Sequence, residues 1–123
     1  MEKKNDTFSG GRPIAANACV GNNGSVGYEH YSKGFSQSAN LLIDQVLGNI
    51  HHYSVDFLIY PVCFNMRHSV ELRLKGAIQS LIELAAIRGQ ILEFDSDGSH
   101  DIGKIWDFFR NKSEQFDPRY THY

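Results

Sequence analysis

Two short stretches of this chain concentrate side chains that can do chemistry. The first is Arg67-His68-Ser69-Val70-Glu71-Leu72-Arg73-Leu74-Lys75. An arginine can hold a phosphate and a histidine can take a proton near neutral pH. On a helix, Arg67 and Glu71 stand four apart, as do Glu71 and Lys75, and His68 and Glu71 stand three apart, so all four can meet on one edge. By periodicity alone this is a solvated edge laced with ion pairs, each contributing ~0.3–0.5 kcal/mol. The second stretch is His100-Asp101-Ile102-Gly103-Lys104-Ile105-Trp106. Here Asp101 can cap a helix and complement its dipole, while Trp106 can fill a core.

These residues need elements to position them. Tyr31, Phe35, Ala39, Leu42, Val46 and Ile50 recur at steps of three or four, and Ile43 and Leu47 widen the stripe, which predicts an amphipathic helix from about Tyr28 to Gly48-Asn49. A second apolar phase runs from about Val55 to Ile87, with Leu58, Val62, Met66, Val70, Leu74, Ala77, Leu81 and Leu84 on one predicted face, broadened by Ile59, Cys63, Ile78, Ile82 and Ala85. Pro61 either opens that helix or kinks it. Gly89 after Arg88 is a helix C-terminal signal. Residues 90–99 read as a connector, with a short extended piece at Gln90–Phe94 and a turn at Asp95-Ser96-Asp97-Gly98-Ser99. Ile102, Ile105, Trp106 and Phe109 predict a last helix, opened by Asp101 or Ser99 and closed by Asp117-Pro118. The expectation is an all-α protein, an antiparallel bundle of about three main helices joined by short connections. Residues 1–27, which hold five of the eleven glycines, form an irregular N-terminal segment, and residues 28–123 form the helical domain.

Composition narrows the function classes. The chain has 123 residues, room for one domain, and a net charge of -2, which excludes a generally cationic nucleic-acid binder. No apolar run reaches the ~18 residues of a membrane span, and the charged start has no signal-peptide core. Cys19 and Cys63 read more simply as reduced thiols than as a disulfide, so a cytoplasmic protein is expected. Gly21-Asn22-Asn23-Gly24 lacks the strand and helix phasing of a phosphate loop. His52 and Asp56 are too few ligands for a metal site, and Asp95-x-Asp97-Gly98 lacks the spacing and final Glu of a calcium loop. No cofactor or metal is expected.

Taken together, Arg67-His68-x-x-Glu71-Leu72-x-Leu74-Lys75 followed by His100-Asp101-Ile102-x-x-Ile105-Trp106 resembles the HEPN superfamily, most closely its bacterial members with an RHxxELxLK … HDLxxLW pattern. Ile59-Tyr60-Pro61-Val62-x-Phe64 and Phe116-Asp117-Pro118-Arg119-Tyr120 fit the same pattern, so the resemblance spans about residues 28–120. It implies a helical bundle, often dimeric, in a family rich in RNases of toxin–antitoxin and other anti-phage systems. In those RNases a His separated from an Arg by four to six residues removes the 2′-hydroxyl proton, and the Arg steadies the phosphorane. Here the positions where that His is expected read Leu72, Arg73 and Leu74.

The resemblance and this departure favour a non-catalytic module that dimerises or binds a protein or RNA within a bacterial defence or toxin–antitoxin-type system. One alternative is a metal-independent RNase using Arg67 with His68 or His100. The other is a helical antitoxin-like adaptor with no nucleic-acid role. Arg67, His68, Glu71 and His100 are the candidate catalytic residues, or else members of an intra-bundle polar network. Arg73, Lys75, Asp101 and Lys104 are candidate binding residues, with Arg110 and Lys112 extending the basic surface. About 95 residues remain after the N-terminal segment, fewer than a complete four-helix bundle of that family needs, so apolar surface is expected to await a partner.

Overall fold

The structure is a computed structural model that describes residues 26–119. The assignment of residues 1–27 as an irregular segment therefore falls almost entirely outside the described residues, as do Cys19 and the last four positions. Three helices follow in order: α1 (Tyr28–Gly48), α2 (Val55–Ile87) and α3 (Ile102–Phe116). No strand occurs among the described residues, and Gln90–Phe94 forms no ladder. The all-α class stands, and the boundaries of α1 and α2 fall where the apolar periodicity placed them. Pro61 lies inside α2, two turns from its start, although it has no N–H to return to the preceding turn.

The ends of α2 and α3 show why the chain turns where it does. Gly89 adopts φ +70°, a conformation that costs glycine little. Its N–H bonds to the carbonyl of Ala86, and the N–H of Gln90 bonds to that of Ala85, which is the Schellman arrangement. At the start of α3, Asp101 Oδ1 accepts from the backbone N–H groups of Gly103 (2.9 Å) and Lys104 (3.2 Å). Asp101, and not Ser99, is the cap.

α1 packs antiparallel to α2, but its buried seam is rotated from the predicted stripe. Ser32 and Ala39 are fully buried, whereas Tyr31, Leu47 and Ile50 are largely exposed. Small residues make the contact: Ser32 Oγ donates to the Ser69 carbonyl at 2.8 Å, and Asn65 Nδ2 donates to Ser38 Oγ at 2.8 Å. A Cβ placed on Gly76 would lie 3.3 Å from Tyr28 Cβ, so the helices approach closely there. The predicted face of α2 is covered only in part. Val62, Ile78, Leu81 and Ala85 are buried, while Met66, Val70 and Leu84 are about half exposed.

α3 corrects the expected topology. His100, just before α3, touches Arg67 and Glu71, whereas Phe116 at its end accepts a hydrogen bond from Arg88 (3.2 Å) beside which its ring also packs. α3 therefore runs parallel to α2, not antiparallel. Residues 89–100 make this possible, because a dozen extended residues reach roughly 40 Å. Arg88 lies only roughly 25 Å along the helix from Glu71. Phe94 pins the returning chain to Phe108, with ring centroids 4.8 Å apart. No Cα of α1 comes within 8 Å of one of α3, so α2 alone joins the two. Ile105, fully buried, anchors α3. Ile105→Ala is expected to lower the unfolding free energy by about 2–5 kcal/mol in urea titrations. Ile91→Ala, at an exposed connector position, should change it by less than about 0.5 kcal/mol.

Candidate functional site

The polar residues in the middle of α2 form a network, and its centre is buried. Glu71 is 2% exposed and Lys75 6% exposed. The solvated edge expected from periodicity is thus replaced by a carboxylate enclosed where α3 begins against α2. Burial of this kind is costly unless the charge is matched. Three groups match it. Lys75 Nζ lies 3.0 Å from Oε1, Arg67 Nη1 donates to Oε2 at 3.3 Å, and His100 Nδ1 sits 3.0 Å from Oε1. Arg67 Nη2 also donates to the His100 carbonyl at 2.6 Å, closing a ring between the two elements. Among the described residues no buried polar side-chain atom lacks a partner.

Burial pushes the Glu71 carboxyl up, but hydrogen bonds from His100 and Lys75, with the charge of Lys75, outweigh that and hold its pKa below the ordinary value of 4.5. An ionised Glu71 can only accept, so His100 Nδ1 must carry the proton in this pair. In the neutral tautomer of that ring, Nε2 carries the lone pair. That ring is largely exposed, and the half-exposed Arg67 guanidinium stands beside it.

The two candidate histidines are placed differently. His68 Nδ1 is 3.8 Å from Glu71, beyond hydrogen-bond range. Its ring is wedged edge-on to Phe35 (4.5 Å) and stacked on Phe64 (5.9 Å, 18°). It packs between rings, whereas the His100 ring is largely exposed. Arg67, Glu71, Lys75 and His100 come together, with His68 at the margin.

The candidate binding residues do not form one patch. Lys75 is turned inward onto Glu71, and Asp101 is occupied as the helix cap. Arg73 lies at the α1 seam, where Nε donates weakly to Ser32 Oγ at 3.4 Å. Lys104 is exposed on α3. Arg110 pairs with Asp107 at 3.5 Å, and Lys112 bonds Gln115 at 3.3 Å. At ~100° per residue, positions 104, 110 and 112 spread round α3 and make no basic stripe. Among the described residues no three His, Cys, Asp or Glu side chains cluster as metal ligands. No helix there is long and apolar enough to cross a membrane. Cys63 is exposed and unbonded.

Compared with known proteins, the chain matches no family model, no curated protein and no solved structure.

Glu71→Ala is expected to cost about 3–5 kcal/mol, since it strands a buried ammonium. Glu71→Ala combined with Lys75→Met should recover part of that loss, because neither charge is then left unpaired. The lowered folded-state pKa sets a pH dependence of definite sign. Unfolded chains bind the Glu71 proton more readily, so its stabilisation is complete above the ordinary value of 4.5 and lost as pH falls through the lower folded value. Urea midpoints measured downward from pH 6 should drop more steeply for the parent protein than for Glu71→Gln.

Proposed function

We propose that this chain is an HEPN-like helical module that works by association rather than turnover. Its partners are a second copy or another protein of a bacterial defence or toxin–antitoxin-type assembly, with RNA contact through the Arg67–His100 edge. One observation carries the reading: the group at the centre of the motif is consumed by structure. Glu71 is buried and holds Arg67, Lys75 and His100 in a network that fastens α3 to α2. A network fully satisfied in this way specifies a fold. The half-exposed apolar side chains of α2 support the same reading, because a helix this apolar is ordinarily covered on more sides.

A second reading is favoured by one specific observation. His100 meets Glu71 through Nδ1 and its ring is largely exposed, while the Arg67 guanidinium holds the same carboxylate and the His100 backbone carbonyl. A carboxylate-oriented imidazole beside a guanidinium is the arrangement that metal-independent RNA cleavage requires. Nε2 would take the 2′-hydroxyl proton, the 2′-oxygen would attack phosphorus to give a 2′,3′-cyclic phosphate, and the P–O5′ bond would break, the 5′-oxygen taking a proton from water as it leaves. In space, His100 would then stand in for the histidine missing at positions 72–74.

Incubating the purified protein with mixed RNA, with and without EDTA, separates the two. Intact RNA is the expected outcome. EDTA-insensitive cleavage that His100→Ala abolishes and His68→Ala retains would replace the association reading with the catalytic one.

A further inference from the structure

At the end of the molecule where α1 hands over to α2, the two helices form an apolar groove. Ile43, Val46 and Leu47 of α1 and Leu58, Ile59 and Val62 of α2 line it, and every one is aliphatic. Its volume is about 120 Å³. Water takes ~30 Å³ per molecule, so the groove has the room of about four waters. That suits a four-carbon aliphatic side chain and is too small for a phenyl ring. Val62 is buried, while Leu47 is 70% exposed and Ile59 48% among the described residues. Further burial of Leu47 and Ile59 has to come from something other than residues 26–119.

We infer that the groove takes the side chain of Ile14 from the same chain. Composition, side-chain size and reach each support this occupant. Pro13-Ile14-Ala15-Ala16-Asn17-Ala18-Cys19-Val20 carries no charge, whereas Glu2, Lys3, Lys4, Asp6 and Arg12 crowd the residues before it. Ile14 is the one residue of that run with a four-carbon aliphatic side chain. For reach, Ile43 and Leu47 lie fifteen and nineteen residues beyond Tyr28, where α1 begins, so the groove is roughly 25 Å from that end at ~1.5 Å per residue. Residues 15–27 join Ile14 to Tyr28. A chain of about that length reaches roughly 43 Å at most, and its root-mean-square span is roughly 20 Å when glycine-rich. A tether whose span matches the distance gives an effective concentration of about a millimolar. At micromolar protein, a second copy or a separate partner with the same aliphatic chemistry would be outcompeted. The groove is therefore an internal docking place. This goes beyond the association reading, whose partner would meet the groove already filled.

The test uses the full chain, whose two cysteines report on the docking. Cys63 adjoins Val62 of the groove, and Cys19 stands five residues from Ile14, a reach of up to roughly 17 Å. At micromolar protein a flexible bis-maleimide should link Cys19 to Cys63 within one chain. Ile14→Asp should slow that link by about tenfold or more, because docking would then take a carboxylate out of water, with helicity by circular dichroism unchanged. Phe8→Ala should leave the rate as it is. Urea midpoints give an independent measure. Ile14→Ala and Ile59→Ala should each lower the midpoint, and the double variant should fall short of their sum, because either one removes the same contact. Linking that is indifferent to Ile14→Asp, or midpoint shifts that simply add, overturns the proposal. A link formed only between chains would give the groove to a second copy. Absence of both link and coupling would leave it to a separate partner, and each of these outcomes overturns the proposal as well.

Discussion

The buried carboxylate of Glu71 is the constraint on which the arrangement depends. An ionised acid that is 2% exposed persists only where cations and donors surround it. Two of its partners come from α2 itself, Arg67 and Lys75, one turn away on either side. The third, His100, comes from the chain just ahead of α3. That third contact determines where α3 begins. Asp101 follows immediately as the helix cap, so the same dipeptide that satisfies Glu71 also nucleates the helix.

From that anchor the topology follows. α3 must start beside the middle of α2 and run toward its C-terminal end, where Arg88 receives the Phe116 carbonyl and ring. The connector therefore has to travel back along the bundle, and Phe94 holds it against Phe108 as it does so. Among the described residues no Cα of α1 lies within 8 Å of α3, and α2 is the helix on which both pack. Above the start of α3, the Phe57, Tyr60 and Phe64 rings of α2 are exposed among the described residues.

This division of labour bears on chemistry. The residues proposed above for RNA contact, Arg67 and His100, are also ones that hold two elements together. Lys75 is committed to Glu71 and Asp101 to the helix end, which leaves Arg67 and the outer edge of His100 as the solvent-facing part of the cluster. A site so tied to the fold suits recognition and assembly.

Much of this was legible in the residues. Apolar periodicity located α1 and α2, Asp101 and Gly89 marked helix ends through their local chemistry, and the spacing of Arg67, Glu71 and Lys75 placed them on one edge. These are properties of three to eighteen neighbouring residues, and local sequence encodes them directly. Other features depended on groups distant in sequence. Periodicity could not tell an exposed charged edge from a buried one, because what encloses Glu71 is supplied by His100, twenty-nine residues away. It also picked the greasiest arcs of α1 and α2, whereas the seam formed where Ser32, Ala39 and Gly76 are small enough for the backbones to approach. The direction of α3 was hidden for a similar reason. A connector of that length permits either sense, and the choice belongs to the partner that the buried carboxylate captures.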